Sequence, residues 1–202
     1  MPSGSPRMWT LLAALTLLAH SSFSEEPVAV VVSVSGKVEW REEERAPWKL
    51  AAKGLRLYQG SELRTGILSR AVLVFVADGS RVLVNEDTEL VVEAKGLGRV
   101  LRPTGRVRMF VGEVYSKVRS GREFEVETPV SVASVRGTEF DLSHDAELEL
   151  IVVDGLVELS NALGRALAGV HADHRHIRHC PELCTRAACD LRSLRWVNTW
   201  TR

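Results

Sequence analysis

Cysteine is almost missing from this chain. Its three cysteines, Cys180, Cys184 and Cys189, lie near the C-terminus, so no disulfide framework holds the residues before them. Long apolar runs are scarce too: Met8 to Ala19 spans 12 residues, short of the roughly 20 that a membrane-spanning helix needs, and no later stretch is long enough. An excess of one charge sign is absent. With 26 Lys+Arg against 26 Asp+Glu, the chain has no global field to attract nucleic acid. Catalytic signatures are missing as well, since there is no Gly-x-Ser-x-Gly, no His-Glu-x-x-His and no Gly-x-x-x-x-Gly-Lys-Ser/Thr. Gly96-x-Gly98 lacks a third glycine and a strand-to-helix setting. No enzyme and no cofactor are expected.

What is present begins with a secretory pattern. Residues 1–24 carry Arg7, then the apolar run, then Ser22-Phe23-Ser24 as small residues for cleavage before Glu25. Export to the periplasm or cell envelope is expected, with an uncleaved inner-membrane anchor as the alternative. Cleavage would remove one positive charge and leave the mature chain near −1.

From Val28 onward, short apolar-alternating runs are separated by Gly, Asp-Gly or Pro, and none has helical period. The pattern predicts strands over 28–34, 38–40, 82–84, 89–93, 107–111, 114–118, 124–126, 148–152 and 157–159. Residues 71–77 are apolar on both parities, which predicts a central strand covered on both faces. The acidic run Glu42-Glu43-Glu44 before Pro47 reads as a solvated loop tip. Even spacing of so many short strands indicates an all-β sandwich, barrel or solenoid.

The organising stretch is 127–142, Glu-Thr-Pro-Val-Ser-Val-Ala-Ser-Val-Arg-Gly-Thr-Glu-Phe-Asp-Leu. Val130 and Val132, then Phe140 and Leu142, alternate as the inward sets of two strands. Pro129 is expected to start the first strand, where its missing N–H is tolerated. Gly137 is expected at a tight corner that a Cβ would obstruct. Thr-Pro, a short strand and Val-Arg-Gly-Thr-x-Phe closely resemble the signature of the FecR family of bacterial envelope domains. Further pieces come in the same order: Gly36-Lys-Val, Leu63-Arg-Thr-Gly, Ser69-Arg-Ala-x-Leu, Phe75-Val-Ala-Asp-Gly-Ser, Thr88-Glu-Leu, Val111-Gly-Glu-Val and Val153-Asp-Gly-x-Val-Glu-Leu.

The resemblance implies a β-solenoid-like or twisted β-sandwich body over 28–161, with 162–202 as a tail or linker and a short helix at 190–200. The best-known FecR-like proteins regulate sigma factors across the inner membrane, with a periplasmic part that senses an outer-membrane transporter. This chain has a signal-like segment where their cytoplasmic part and spanning helix would stand. The implied function is therefore a non-enzymatic envelope module that binds a protein or a cell-wall polymer. The alternative is a periplasmic sensor component with an inner- or outer-membrane signalling partner; no nucleic acid is implied.

Candidate binding residues follow from charge. Between Lys95 and Arg122 eight cations face Glu113 alone, so Arg102, Arg106 and Arg108 could form a face for an anionic partner, or an ordinary solvated strand exterior. Arg136 could present its guanidinium to a carboxylate, beside Thr138, or pair with Glu139, Glu127 or a backbone carbonyl to lock the corner. In the tail, His174, His176, His179, Cys180 and Cys184 are metal-capable residues at spacings that suit zinc poorly. A reading-frame shift through a Thr/Ser/Pro-rich linker would also produce such a tract, the chain then being a fragment. Glu147 and Glu149 share one parity, which fits an exposed strand face better than acid/base work.

Overall fold

The computed structural model of the protein describes residues 26–96, 103–162 and 164–169, with only the backbone of 176–178 and 195–197. Its first strands are β1 (Ala29–Ser35), β2 (Val38–Arg41), β3 (Lys49–Leu50), β4 (Arg56–Leu57), β5 (Ser61–Thr65), β6 (Arg70–Phe75), β7 (Arg81–Val84) and β8 (Glu89–Lys95). The chain continues through β9 (Thr104–Lys117), β10 (Glu123–Glu127), β11 (Val132–Arg136), β12 (Glu139–His144) and β13 (Leu148–Asp154). Last come β14 (Leu156–Asn161), β15 (Gly164–Gly169), β16 (His176–Arg178) and β17 (Arg195–Val197). The fold is all-β, with no helix among the described residues.

Alternating apolar residues give each strand one face for a core, and two sheets supply each other's cover. Sheet I runs β4-β1-β6-β7-β9-β12-β13-β16-β17. Sheet II runs β3-β2-β5-β8-β9-β10-β11-β14-β15. Every pairing is antiparallel except β9 with β10. One core lies between the sheets, from Val31, Leu73 and Phe140 on one side to Leu63, Met109 and Leu159 on the other. Phe75 and Phe124 meet across it edge to face, 4.9 Å between centroids.

Strand β9 belongs to both sheets. Thr104–Val111 pairs with β8 in sheet II, and Gly112–Lys117 pairs with β12 in sheet I. The two strands expected over 107–111 and 114–118 are thus one, bent at Gly112. There φ is +108°, and a Cβ would lie 2.3 Å from Thr88 Oγ1, so only glycine fits.

Three local expectations change. Strand β6 is interior to sheet I but buries only Ala71, Leu73 and Phe75; Val72 and Val74 lie half-exposed on the solvent face that an antiparallel sandwich leaves open. In β11 the inward residues are Ala133 and Val135, while Val130 and Val132 are only partly buried. Pro129 explains that shift. It is not the first residue of a strand but part of the turn from β10 to β11, where Thr128 N–H donates to Ser131 O (2.8 Å) and Ser131 N–H to Thr128 Oγ1 (3.1 Å). A fixed φ suits proline to that position.

At the C-terminal end, β15 pairs with β14 beyond Asn161 and puts Ala168 into the core. Of the helix expected at 190–200, Arg195–Val197 is strand β17 against β16, and the other residues lie outside those described. Residues 1–24 also lie outside them.

Candidate functional site

The Val-Arg-Gly-Thr segment is a corner where the chain leaves sheet II for sheet I. Gly137 has φ +65°, and a Cβ there would come 2.9 Å from Ser120 Cα. Its N–H donates to Arg122 O (3.1 Å). Thr138 is buried; its O accepts from Val118 N–H (2.9 Å) and its Oγ1 donates to Leu156 O (2.9 Å). The hydroxyl therefore ties this corner to the next, β13 to β14. Arg136 points to solvent, and its guanidinium meets no partner among the described residues. Neither expected carboxylate reaches it: Glu139 is held by Lys117 (2.7 Å) and the Tyr115 hydroxyl, and Glu127 by Arg106.

A second stack of corners lies in the N-terminal half, again stitched by hydroxyls. Lys37 N–H donates to Ser69 Oγ (2.8 Å). Thr65 Oγ1 accepts from Thr88 N–H (3.0 Å) and donates to Asn85 O (2.5 Å). Thr88 Oγ1 accepts from Glu113 N–H (3.0 Å). Buried backbone groups at crossovers lack ladder partners, and these hydroxyls satisfy them.

The basic strip is compensated. Arg106 and Arg108 stand on the outer face of sheet II, between β8 and β10. Arg106 contacts Glu93 (3.8 Å), Glu125 (3.9 Å) and Glu127; Arg108 contacts Glu93 (3.1 Å) and Glu127 (3.8 Å); Lys95 holds Glu125 (2.5 Å). Of the three arginines expected to face an anion, two are thus bound to carboxylates from neighbouring strands. Arg102 lies outside the described residues. The same alternation continues to β2 and β5, where Arg41 pairs with Glu62 (2.6 Å) and Arg64 with Glu39 (2.8 Å). The loop after β2 folds over these pairs and lays Trp48 on both guanidiniums, 4.5 and 4.1 Å from ring centroid to Cζ. Glu42, Glu43 and Glu44 are exposed, as a solvated loop tip should be, and only the far end of the loop, at Trp48, is packed, held by cation–π attraction.

Opposite, on the outer face of sheet I, stands a residue the sequence reading did not single out. Asp141 sits between Tyr115 of β9 and Ile151 of β13. Burial first, then the Glu113 and Glu149 carboxylates, push its carboxyl from the ordinary 3.8 up to about 7. The only sequence signal is polar alternation in β12, which looks the same for any outward carboxylate. Nearby, burial lowers the His144 imidazole below its usual range. Glu149 is on this face too, whereas Glu147 is in the preceding turn.

A cleft of about 380 Å³ opens at one end of the sandwich, over Val28, Phe75, Ala94 and Gly105, with Glu26 and Arg122 at its rim. It holds no nucleophile paired with a base.

Residues 61–158 match the family model described as FecR protein. These residues form a FecR domain. Two crystal structures of a candidate anti-sigma factor from Parabacteroides distasonis ATCC 8503 are similar to this chain at 20% identity, with TM-scores of 0.49 and 0.48. The likeness covers 60% of this chain and only 55% of theirs. No curated protein matches the chain.

Within the FecR domain the signature residues build corners. Thr65-Gly66, Ser69, Thr88, Gly112, Gly137-Thr138 and Gly155 all sit at crossovers or carry the hydroxyl that closes one, accepting at Ser69 and Thr88 and donating at Thr65 and Thr138. Asp78-Gly79-Ser80 closes the β6–β7 hairpin, with Asp78 Oδ1 accepting from Ser80 N–H (3.0 Å). Gly36 belongs to the same stack but precedes the matched span. The metal-capable tail residues are not tested by this geometry: His174, His179, Cys180 and Cys184 lie outside the described residues, and His176 is described by backbone alone. Among the described residues no group of His, Cys, Asp and Glu is arranged to hold a metal ion. Nor is any described helix long and apolar enough to cross a membrane.

Proposed function

We propose that this protein is a non-catalytic FecR module of the bacterial cell envelope that binds another protein within a transmembrane signalling system. The match over 61–158 carries the reading. The charge arrangement bears on the class of partner. The strip that would have faced an anionic cell-wall polymer is compensated, since Arg106 and Arg108 are shared among three carboxylates. The signal-like segment of residues 1–24 fits an exported module. Arg136, exposed beside the Thr138 corner, is available to a partner's carboxylate.

Deleting the gene in its source bacterium and sequencing the transcripts tests this. A signalling role predicts a discrete set of genes that change together and share one promoter element. In parallel, the full chain should fail to sediment with purified peptidoglycan at low salt. An unchanged transcriptome, with sedimentation that weakens as salt rises, would replace this reading with a polymer-bound scaffold.

A further inference from the structure

The two ends of the sandwich treat their edge strands differently. At the N-terminal end the edges are β3 and β4, two residues each, carrying Lys49 and Arg56. Short, charged edges of this kind discourage pairing with another chain. At the other end of sheet II the edge is β15, six residues reading Gly-Arg-Ala-Leu-Ala-Gly, paired among the described residues only with β14. It has no proline, no bulge and no inward charge. On its outer face Leu167 is 59% exposed and Leu156 of β14 is 53% exposed. Leu156 leans over Gly169, where a Cβ would come 2.9 Å from its Cδ1.

We propose that β15 is a self-association edge, where two copies of this chain join antiparallel and extend sheet II across a two-fold axis at Leu167. The sequence of the strand supports a second copy as the occupant. With Leu167 opposite Leu167 of the other copy, Ala166 falls opposite Ala168 and Arg165 opposite Gly169. Outward residues then meet outward ones, and inward meet inward, as an antiparallel ladder requires. The like charges are kept apart, because each Arg165 faces a glycine of the other copy and is held by Glu158 of its own, 3.4 Å from Nη1 to Oε1. The two Leu167 side chains then cover each other on the axis, each with Glu158 of its own copy behind it, while each Leu156 lies in the next row over Gly169, and the three residues of each β15 whose N–H and C=O groups face away from β14 gain ladder partners. The contact is small beside a standard interface of about 800 Å² per partner, so association belongs in the micromolar range or weaker. This inference stands independently of the signalling reading.

Sedimentation equilibrium of the purified full chain, under reducing conditions so that no cysteine links two copies, is the test. The parent should show a reversible monomer–dimer equilibrium. Leu167→Lys and Leu167→Glu, each at an exposed position, should remain folded by circular dichroism and each weaken dimerisation, Leu167→Glu at least tenfold because Glu158 already stands opposite residue 167, Leu167→Lys less because the same carboxylates offset part of its charge. An equimolar mixture of the two variants should recover a dimer, because Lys then faces Glu. A parent that stays monomeric at all concentrations overturns the proposal. So do single variants that dimerise as the parent does, or a mixture that recovers nothing. A parent that is monomeric but binds a different envelope protein through Leu167 assigns the edge to that protein and likewise overturns self-pairing.

Discussion

Replacing Asp141 with Asn should stabilise the protein in alkaline solution and do little in acid. In the native state the carboxyl titrates near 7 instead of 3.8, because it is partly buried and faces Glu113 and Glu149. The folded chain therefore grips this proton more tightly than the unfolded chain. The stability tied to it is fully present below about pH 4, falls as the pH rises, and is lost once the pH has passed about 7. A rise from 3.8 to about 7 corresponds to about 4 kcal/mol at about 1.36 kcal/mol per pH unit. Water still reaches the group, and that screening reduces the effect to about 1–2 kcal/mol. Asn has the shape of the protonated acid and never carries the charge. Urea titrations of parent and variant, followed by tryptophan fluorescence at several pH values, should show the variant ahead by that amount near pH 8, with the gap closing as the pH is lowered towards 4. A gap independent of pH, or a variant that is weaker at pH 8, would refute the reasoning. Glu113→Gln offers a cross-check, since removing that neighbour should lower the pH at which the parent loses stability.

Phe140→Ala removes a fully buried ring and should cost about 3–5 kcal/mol; an unchanged denaturation midpoint would show that the ring is not core. Gly137→Ala forces a Cβ against Ser120 at positive φ, so thermal unfolding should show a loss of more than about 1 kcal/mol. Arg106→Ala leaves Glu125 and Glu127 facing each other with less compensation and should cost about 1–2 kcal/mol, a loss that shrinks if Glu127→Gln is added.

Much of the architecture is legible in the sequence because strand period is a local property. Leu148, Leu150 and Val152 alternate, and they are the buried face of β13. The signature glycines are legible for the same reason, since positive φ is a property of one residue. What fails are relations across strands. The sequence sets Glu113 alone against the cations from Lys95 to Arg122, yet Glu93, Glu125 and Glu127, from just outside that window, lie beside Arg106 and Arg108 once β8, β9 and β10 are paired. The parity of β11 fails differently. Val130 and Val132 are more apolar than Ala133, but the turn at Pro129 fixes which face points inward, and a slip of one residue reverses every side chain. Asp141 was invisible because its environment comes from β9 and β13, strands whose approach no local pattern encodes.

The sharing of β9 between the sheets has a consequence for how the molecule comes apart. Met109 and Val114 lie on one continuous strand that each sheet needs for its middle rung. Opening either half strips partners from β7, β8, β10 or β12 along with it. The amide protons of Val107, Met109 and Val114 should therefore exchange with deuterium only when the whole protein unfolds, and at one common free energy. The protein would then have no partly open form at its centre, and any rearrangement on meeting a partner would be confined to its two ends.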